Sequence, residues 1–387
     1  MAELPSKKQF ADKQLEACFL TPAGFITGTL DYTNVITNIH GDTPQANVPA
    51  EADRIVLPGF IDVHVHGGGG GDTMDGPEGV RKLAQFHVRH GTTTLYPTTM
   101  TNPWEAILSA LEGVRTVQAE ADPNLPDIAG VHLEGPFISP NRLGAQPPFT
   151  LTPTVELLEQ LLAYNVIRLV TLAPEIDNAQ LAAQAFAEAD VRVSFGHTVC
   201  TAEDARTCAE VVSAAGGTVS FTHLYNAMSP LQSRAPGAVG AALADERAFA
   251  ELIFDTNHVH PTSMLAAFHA KLERLMFITD SIRASGLDDG KSELGGQTVT
   301  VEDGRATLAD GTLAGSILTL DKALRNGLEA GLNLRQASQL LSTTPARYMG
   351  LADRGELVMG KRADMVVVSR EFEVLEVIAS GRSVHTA

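Results

Sequence analysis

Cysteine is scarce: Cys18, Cys200 and Cys208 are the only three among 387 residues, and they stand in no paired or zinc-ribbon spacing. That excludes a disulfide framework and leads us to expect a reduced, cytoplasmic setting. Positive charge is short as well. Lys and Arg number 28 against 46 Asp and Glu, for a formal net charge of −18. A nucleic-acid-binding surface needs a basic patch, so that balance excludes one, and an anionic ligand must be met by a few local residues. No apolar run is long enough to cross a bilayer, and the opening stretch MAELPSKKQF has no apolar core of a secretory signal. No internal repeat or low-complexity segment occurs. What is present is ordinary for a soluble globular enzyme, 44% hydrophobic and 19% charged residues. The length suits one large domain with a smaller companion.

From about Ile55 onward, short apolar runs alternate with amphipathic segments. RIVLPGFIDVHVH, TTTLYPTTM, DIAGVHLEGPF, VIRLVTLAPE, VRVSFGHT, TVSFTHLYNAM, FAELIFDTNHVHP and RLMFITDS read as strands. PEGVRKLAQFHVRHG, PWEAILSALEGVRTVQAEA and TPTVELLEQLLAYN read as helices, several opened by Pro or a Thr cap. Eight strands with helices between them predict an α/β fold, a (β/α)8 TIM-like barrel over residues 55–354. A doubly wound sheet would call for a G-x-G-x-x-G turn after the first strand, which is missing. Alternating stretches at both ends predict a small β-sandwich domain built from residues 1–54 and 355–387. LGGQTVTVEDGRATLADGTLAG reads as a hairpin inserted after the eighth strand, turning at EDG.

In such a barrel, chemistry gathers where strands end. Side chains alternate faces along a strand, so Asp62, His64 and His66 of IDVHVHGGGGG point one way. Two imidazoles at a strand end look like half of a metal site, and the five glycines after them are expected to let backbone pass close to a site or substrate. Other strand ends offer Glu134, His197, His223, then Asp255, His258 and His260 together, and Asp280. Singly, each has a plainer reading. His197 could be bonded to backbone, Asp280 could cap a turn, Glu175 could cap or start a helix, and His132 could simply pack. His40, His87, His90, His269 and His385 fall in helices, turns or the tail and are assigned no role. Jointly, so much imidazole and carboxylate is costly to bury without a metal or mutual pairing. Three protein ligands and an open position suit a catalytic divalent metal, with Asp280 as the base that orients and deprotonates water.

The stretches LPGFIDVHVHG, HLEGPFISP, GHT, THLYNAMSPL, ITDSIRASG, LAGSILTLDKALRN and GKRADMVVV run from residue 55 to 370. They resemble the amidohydrolase superfamily and, within it, the N-acetylglucosamine-6-phosphate deacetylases. The resemblance implies hydrolysis of the acetamide of N-acetylglucosamine 6-phosphate to glucosamine 6-phosphate and acetate, in amino-sugar metabolism. It implies Glu134, His197 and His223 as metal ligands and Asp280 as general acid and base. His64 and His66 would hold a second ion, with Glu134 bridging. One or two divalent ions are implied, and Zn, Fe, Mn, Co and Ni all suit such ligands. Substrate contacts map to Ala145, Gln146, Asn226, Ala227, Arg234, Asp255, His258, Leu313, Ala314 and Gly315. Among these, His258 would steady the oxyanion, and Arg234 would meet the phosphate in its own or a neighbouring subunit. A cytoplasmic homodimer whose partner is a small sugar phosphate, with no nucleic acid and no membrane, is implied too.

Two departures from the family pattern stand out. Gln146 replaces a common His, and Thr256 in DTNH replaces Gly, so a sugar-hydroxyl contact and the loop at His258 are expected to differ. Three other readings stand beside this one. N-acetylgalactosamine 6-phosphate is an alternative substrate. Another metal-dependent amidohydrolase, acting on a cyclic amide or N-acyl amino acid, would often carry a lysine where strand four ends LAPE. A silent relative should have lost the ligands or base that this chain keeps.

Overall fold

The computed structural model describes residues 12–387, so the stretch MAELPSKKQF lies outside the described residues. Eight parallel strands make the expected barrel: Phe60–Val65, Thr92–Thr99, Val131–Glu134, Ile167–Leu172, Arg192–Phe195, Val219–Phe221, Ala250–Ile253 and Leu275–Ile278. The first six are hydrogen-bonded in chain order, and the last two pair with each other. Phe221 N donates to Phe249 O at 3.1 Å, which joins strands six and seven. Asp280 N donates to His64 O and His66 N to Ser281 O, each at 2.9 Å, which closes the eighth strand on the first. Helices Pro77–Val88, Trp104–Glu120 and Val155–Leu162 fill the three expected helical stretches, and the last is capped by Thr154, which accepts from Leu157 N. Helices outside and side chains inside leave the strands buried on both faces, which is why they read as nearly continuous apolar runs.

The interior is not wholly apolar. Asp62 Oδ2 accepts from Thr279 Oγ1 at 2.6 Å, crossing from strand one to strand eight. Burial pushes the Asp62 carboxyl up to about 7, although its hydrogen bonds pull the other way. His132 packs as expected. Its Nε2 meets Thr171 Oγ1 at 2.7 Å, and a hydroxyl chain continues through Thr222 to Ser194.

The run RIVLPGFIDVHVH is two strands rather than one. Ile55–Pro58 pairs with Lys13–Thr21 and with Met365–Val368, and only Phe60–Val65 enters the barrel. The break falls at Gly59, where a Cβ would lie 2.2 Å from Thr93 Oγ1 and where the amide donates to Asp364 O at 2.9 Å. Ile55–Pro58 is central in a seven-stranded sheet built from both ends of the chain. Lys13–Thr21, Gly24–Tyr32 and Ile36–Gly41 lie on one side of it, and Met365–Val368, Val374–Ala379 and Arg382–Thr386 on the other. Asp127 ties this part to the barrel, accepting from Arg354 at 2.5 Å and Arg362 at 2.8 Å. The inserted hairpin has a third strand: Gly290–Leu294, Gln297–Glu302 and Arg305–Thr307 form an antiparallel sheet.

The glycine run also differs from expectation. Gly67–Gly68 and Gly71–Asp72 pair as a tiny hairpin, with Gly69 and Gly70 at φ of 58° and 83°. Two consecutive positive φ values are what a tight two-residue turn requires. The hairpin packs on helix Pro77–Val88, and none of its glycines lines the cavity described below.

Candidate metal centre and its cavity

Six buried side chains converge at the carboxyl ends of the barrel strands. Glu134 Oε1 lies 3.1 Å from His197 Nε2, 3.3 Å from His223 Nε2 and 3.5 Å from His64 Nε2. Its other oxygen lies 3.1 Å from His66 Nε2. Asp280 Oδ1 is 3.3 Å from His66 Nε2 and 3.4 Å from His64 Nε2. The donors form two triads, His64–His66–Asp280 and Glu134–His197–His223, with the Glu134 carboxylate facing both. Strand alternation brings His64 and His66 to one place, their Nε2 atoms 3.3 Å apart. His197, His223 and Asp280 have φ of 48°, 33° and 49°, conformations that cost an L-residue energy and gather at functional sites.

The protonation of this cluster follows from its geometry. Burial alone would lower His64, but the carboxylates of Glu134 and Asp280 outweigh it and hold the ring well above its usual range. The same contest leaves His66 at about 9. Burial would raise Glu134 and Asp280, yet the imidazoles around them pull both down. The carboxylates therefore attract positive charge strongly, whether as protons or as a cation. The donor set fits a divalent cation. His66 Nδ1 bonds to Thr98 O at 3.2 Å and His197 Nδ1 to Arg142 O at 3.0 Å. A carbonyl can only accept, so each Nδ1 carries the hydrogen, and Nε2 is the atom that each ring would turn to a cation displacing any proton there. The Nε2 atoms of His197 and His223 then face each other at 3.0 Å, an arrangement that a cation between such lone pairs would favour.

The cluster opens into a cavity of about 310 Å³. Ala145, Gln146, Asn226, Ala227, His258, Leu313 and Gly315 line it, together with His66, Glu134, His197, His223 and Asp280. Ala314 is fully buried beside this wall, and Asp255 stands behind it, its Oδ2 bonded to His258 Nδ1 at 2.8 Å. Asp255 Oδ1 also accepts from the backbone N–H groups of Asn257 and His258, each at 2.8 Å. Thr256 takes φ of 68° in this turn, the conformation that glycine favours. Gln146 reaches the donors themselves: its Nε2 donates to Glu134 Oε2 at 2.5 Å while its Oε1 accepts from Thr101 N at 2.7 Å. Arg234 is exposed and does not line the cavity of its own chain. His260 caps helix Pro261–Lys271, accepting from Thr262 N. Glu175 caps no helix. It accepts from Thr198 Oγ1 and, at 2.7 Å, from Val199 N, and so braces the loop that follows His197.

Several residues at the site escape a reading of the sequence. Arg142, Met100, Ile253, Leu294 and Thr312 also line the cavity. The inserted sheet supplies Leu294, and its Gln297 Nε2 donates to Ala145 O at 2.7 Å. Glu251, fully buried on strand seven, bonds His64 Nδ1 at 3.0 Å. One signal pointed to Glu251: a carboxylate inside the otherwise apolar run FAELIF.

Known proteins share this arrangement of barrel and sheet. The model of the amidohydrolase family matches residues 55–384. The N-acetylglucosamine-6-phosphate deacetylase of Bacillus subtilis (strain 168) is 41% identical over 343 residues, 86% of this chain and 85% of that one. The N-acetylgalactosamine-6-phosphate deacetylase of Escherichia coli O157:H7 is 37% identical over 336 residues, 85% of this chain and 87% of that one. A solved structure of the D267A mutant of N-acetyl-D-glucosamine-6-phosphate deacetylase from Mycobacterium smegmatis, in complex with N-acetyl-D-glucosamine-6-phosphate, superimposes with a TM-score of 0.88 at 32% identity. It covers 97% of this chain and 100% of that one. The family match over most of the chain and the likeness to these relatives agree with the barrel and its donors: the chain belongs to the amidohydrolase family.

Proposed function

We propose that the chain hydrolyses the acetamide of N-acetylglucosamine 6-phosphate to glucosamine 6-phosphate and acetate. The observation that carries this reading is the pair of donor triads sharing Glu134 at the floor of one cavity, in a chain so similar to deacetylases of this substrate. Within residues 55–354, the barrel that begins at Phe60 carries the reaction. Glu134, His197 and His223 would hold a divalent ion, with His64 and His66 available for another, and the chemistry it would supply is Lewis acidity that polarises a carbonyl and makes water more acidic. Asp280 takes the proton of the attacking water and passes it to the departing amine, which would otherwise leave as a poor amide anion. Asp255 grips His258 by Nδ1, leaving Nε2 to meet the developing oxyanion. Ala145, Gln146, Asn226, Ala227 and Leu313 to Gly315 shape the sugar pocket. Arg234, which does not line the cavity of its own chain, serves the phosphate of a second copy, which makes the working unit a homodimer; its proposed setting is the cytoplasm. Among the described residues no helix is long and apolar enough to cross a membrane, and all three cysteines are free.

Acetate release from N-acetylglucosamine 6-phosphate, its galacto epimer and the unphosphorylated sugar tests the reading, with and without a chelator. Fast, chelator-sensitive release from the gluco phosphate is expected, with much slower release from the other two. Asp280→Asn should keep the ion at Glu134, His197 and His223 and lose turnover by about 10²–10⁴-fold, the usual worth of a general base. Full turnover in that variant would remove Asp280 from its role. Preference for the galacto epimer would move the chain to the substrate of its Escherichia coli relative.

A further inference from the structure

Beneath the six donors lies a carboxylate that the proposed reaction does not use. Glu251 stands on strand seven, Ala250–Ile253, in full burial. Its Oε2 bonds His64 Nδ1 at 3.0 Å, and both side chains are 0% exposed. Its Oε1 has no hydrogen-bond partner among the described residues. Burying a carboxylate so sparsely paired disfavours folding, which calls for a compensating use.

The other imidazoles are held differently. His66 and His197 each give Nδ1–H to a backbone carbonyl, and His223 Nδ1 has no partner among the described residues. Of the four donor imidazoles, His64 alone is backed by a carboxylate. A hydrogen bond to a carboxylate is stronger than one to a neutral carbonyl, and a carboxylate behind an imidazole fixes its tautomer and raises its basicity as a ligand. The ring is also held edge-on by His132, with centroids 4.5 Å apart. Its far nitrogen is thereby fixed toward His66, Glu134 and Asp280.

We propose that Glu251 is a positioning residue for the His64–His66–Asp280 half of the centre. It holds the His64 Nδ1 hydrogen, keeps the Nε2 lone pair available, and makes that half a cation site in its own right beside Glu134–His197–His223. The inference rests on reading the six donors as a metal centre. It separates the two halves chemically, because the Glu251 side chain backs a ligand in only one of them.

The test is cobalt binding to metal-stripped protein, followed by visible absorption and by elemental analysis of bound metal. Wild type, Glu251→Gln, His64→Asn and the double variant are compared. Gln removes the charge and can present either an acceptor or a donor to Nδ1, so it no longer fixes the tautomer. Glu251→Gln should weaken one class of cobalt site by about 10–100-fold and leave the other within about twofold. The double variant should bind no more weakly than His64→Asn alone. Wild-type-like titration of Glu251→Gln would overturn the proposal, as would equal weakening of both classes. An effect of the same size in the His64→Asn background would overturn it too, and so would a single class of wild-type site indifferent to His64→Asn. Should the Gln variant fail to fold by circular dichroism, Glu251→Asp takes its place, with a smaller loss confined to the same class. Acetate release is measured in parallel. A wrong substrate assignment shows there as no release from any variant, while the cobalt titrations keep their pattern.

Discussion

Thr256 shows how a single residue is held against its preference. It sits at φ of 68° on an exposed loop, while Asp255 accepts from the two amides beyond it and grips His258. Left-handed backbone costs an L-residue roughly 1–2 kcal/mol, and glycine's extra freedom when unfolded returns about 0.4–1 of that. Thr256→Gly should therefore stabilise by about 0.5–1 kcal/mol and raise the thermal midpoint by roughly 1–2 °C with turnover unchanged. A lower midpoint would show that the neighbouring bonds, rather than the backbone, define this turn. Legibility at this scale follows chain distance. His64 and His66 could be paired from the sequence because strand periodicity alone puts them on one face. Glu251 lies 187 residues from His64 along the chain, and no spacing rule joins residues so far apart. The link from Gln146 to Glu134 was hidden for a related reason, since it depends on how a loop folds back over a strand end.

Among the elements, the barrel strands were legible because burial on both faces leaves short apolar runs between helices. The break at Gly59 was not, because its cause is the close approach of Thr93 from a neighbouring strand. The form of the glycine hairpin was hidden for the same reason: Gly67 donates to Ser281 O at 2.7 Å beside Asp280, while the rest of the hairpin closes against a helix. His87 on that helix locks it, giving its Nε2 hydrogen to Gly67 O at 2.9 Å from full burial. Burial outweighs that bond and lowers the His87 imidazole to about 4. The unfolded chain, at about 6.5, takes up this proton first as pH falls, so folded stability is lost from about pH 6.5 down to about 4. By pH 5 that loss is on the order of 2 kcal/mol. Thermal midpoints of wild type and His87→Gln at pH 7.5 and pH 5 measure it. The variant should start lower, having a poorer fit, but fall less on acidification. Equal falls in the two proteins would show that the ring is protonated in the fold already at pH 5.

At the scale of the whole molecule, the formal charge of −18 opposes the function proposed for it. A sugar phosphate approaching this protein meets net repulsion at long range and cations only close to the cavity. There Arg142 is the one Lys or Arg among the lining residues, and on the proposed reading Arg234 of a second copy joins it. The two effects act at different distances, so salt separates them. The screening length is about 30 Å at 0.01 M and about 10 Å at 0.1 M, and contacts at a partly buried site are screened far less than fields across solvent. Raising ionic strength over that range should therefore lift kcat/KM for the phosphorylated sugar by about two- to fivefold, with little change for the unphosphorylated one. Beyond about 0.3 M the contact pairs weaken in their turn and the rate should decline. A fall from the lowest salt onward would mean that the basic residues at the cavity mouth set the field well outside it. In that case acidic residues crowd the far surface of the barrel, and the substrate never meets the repulsion that the sequence total implies.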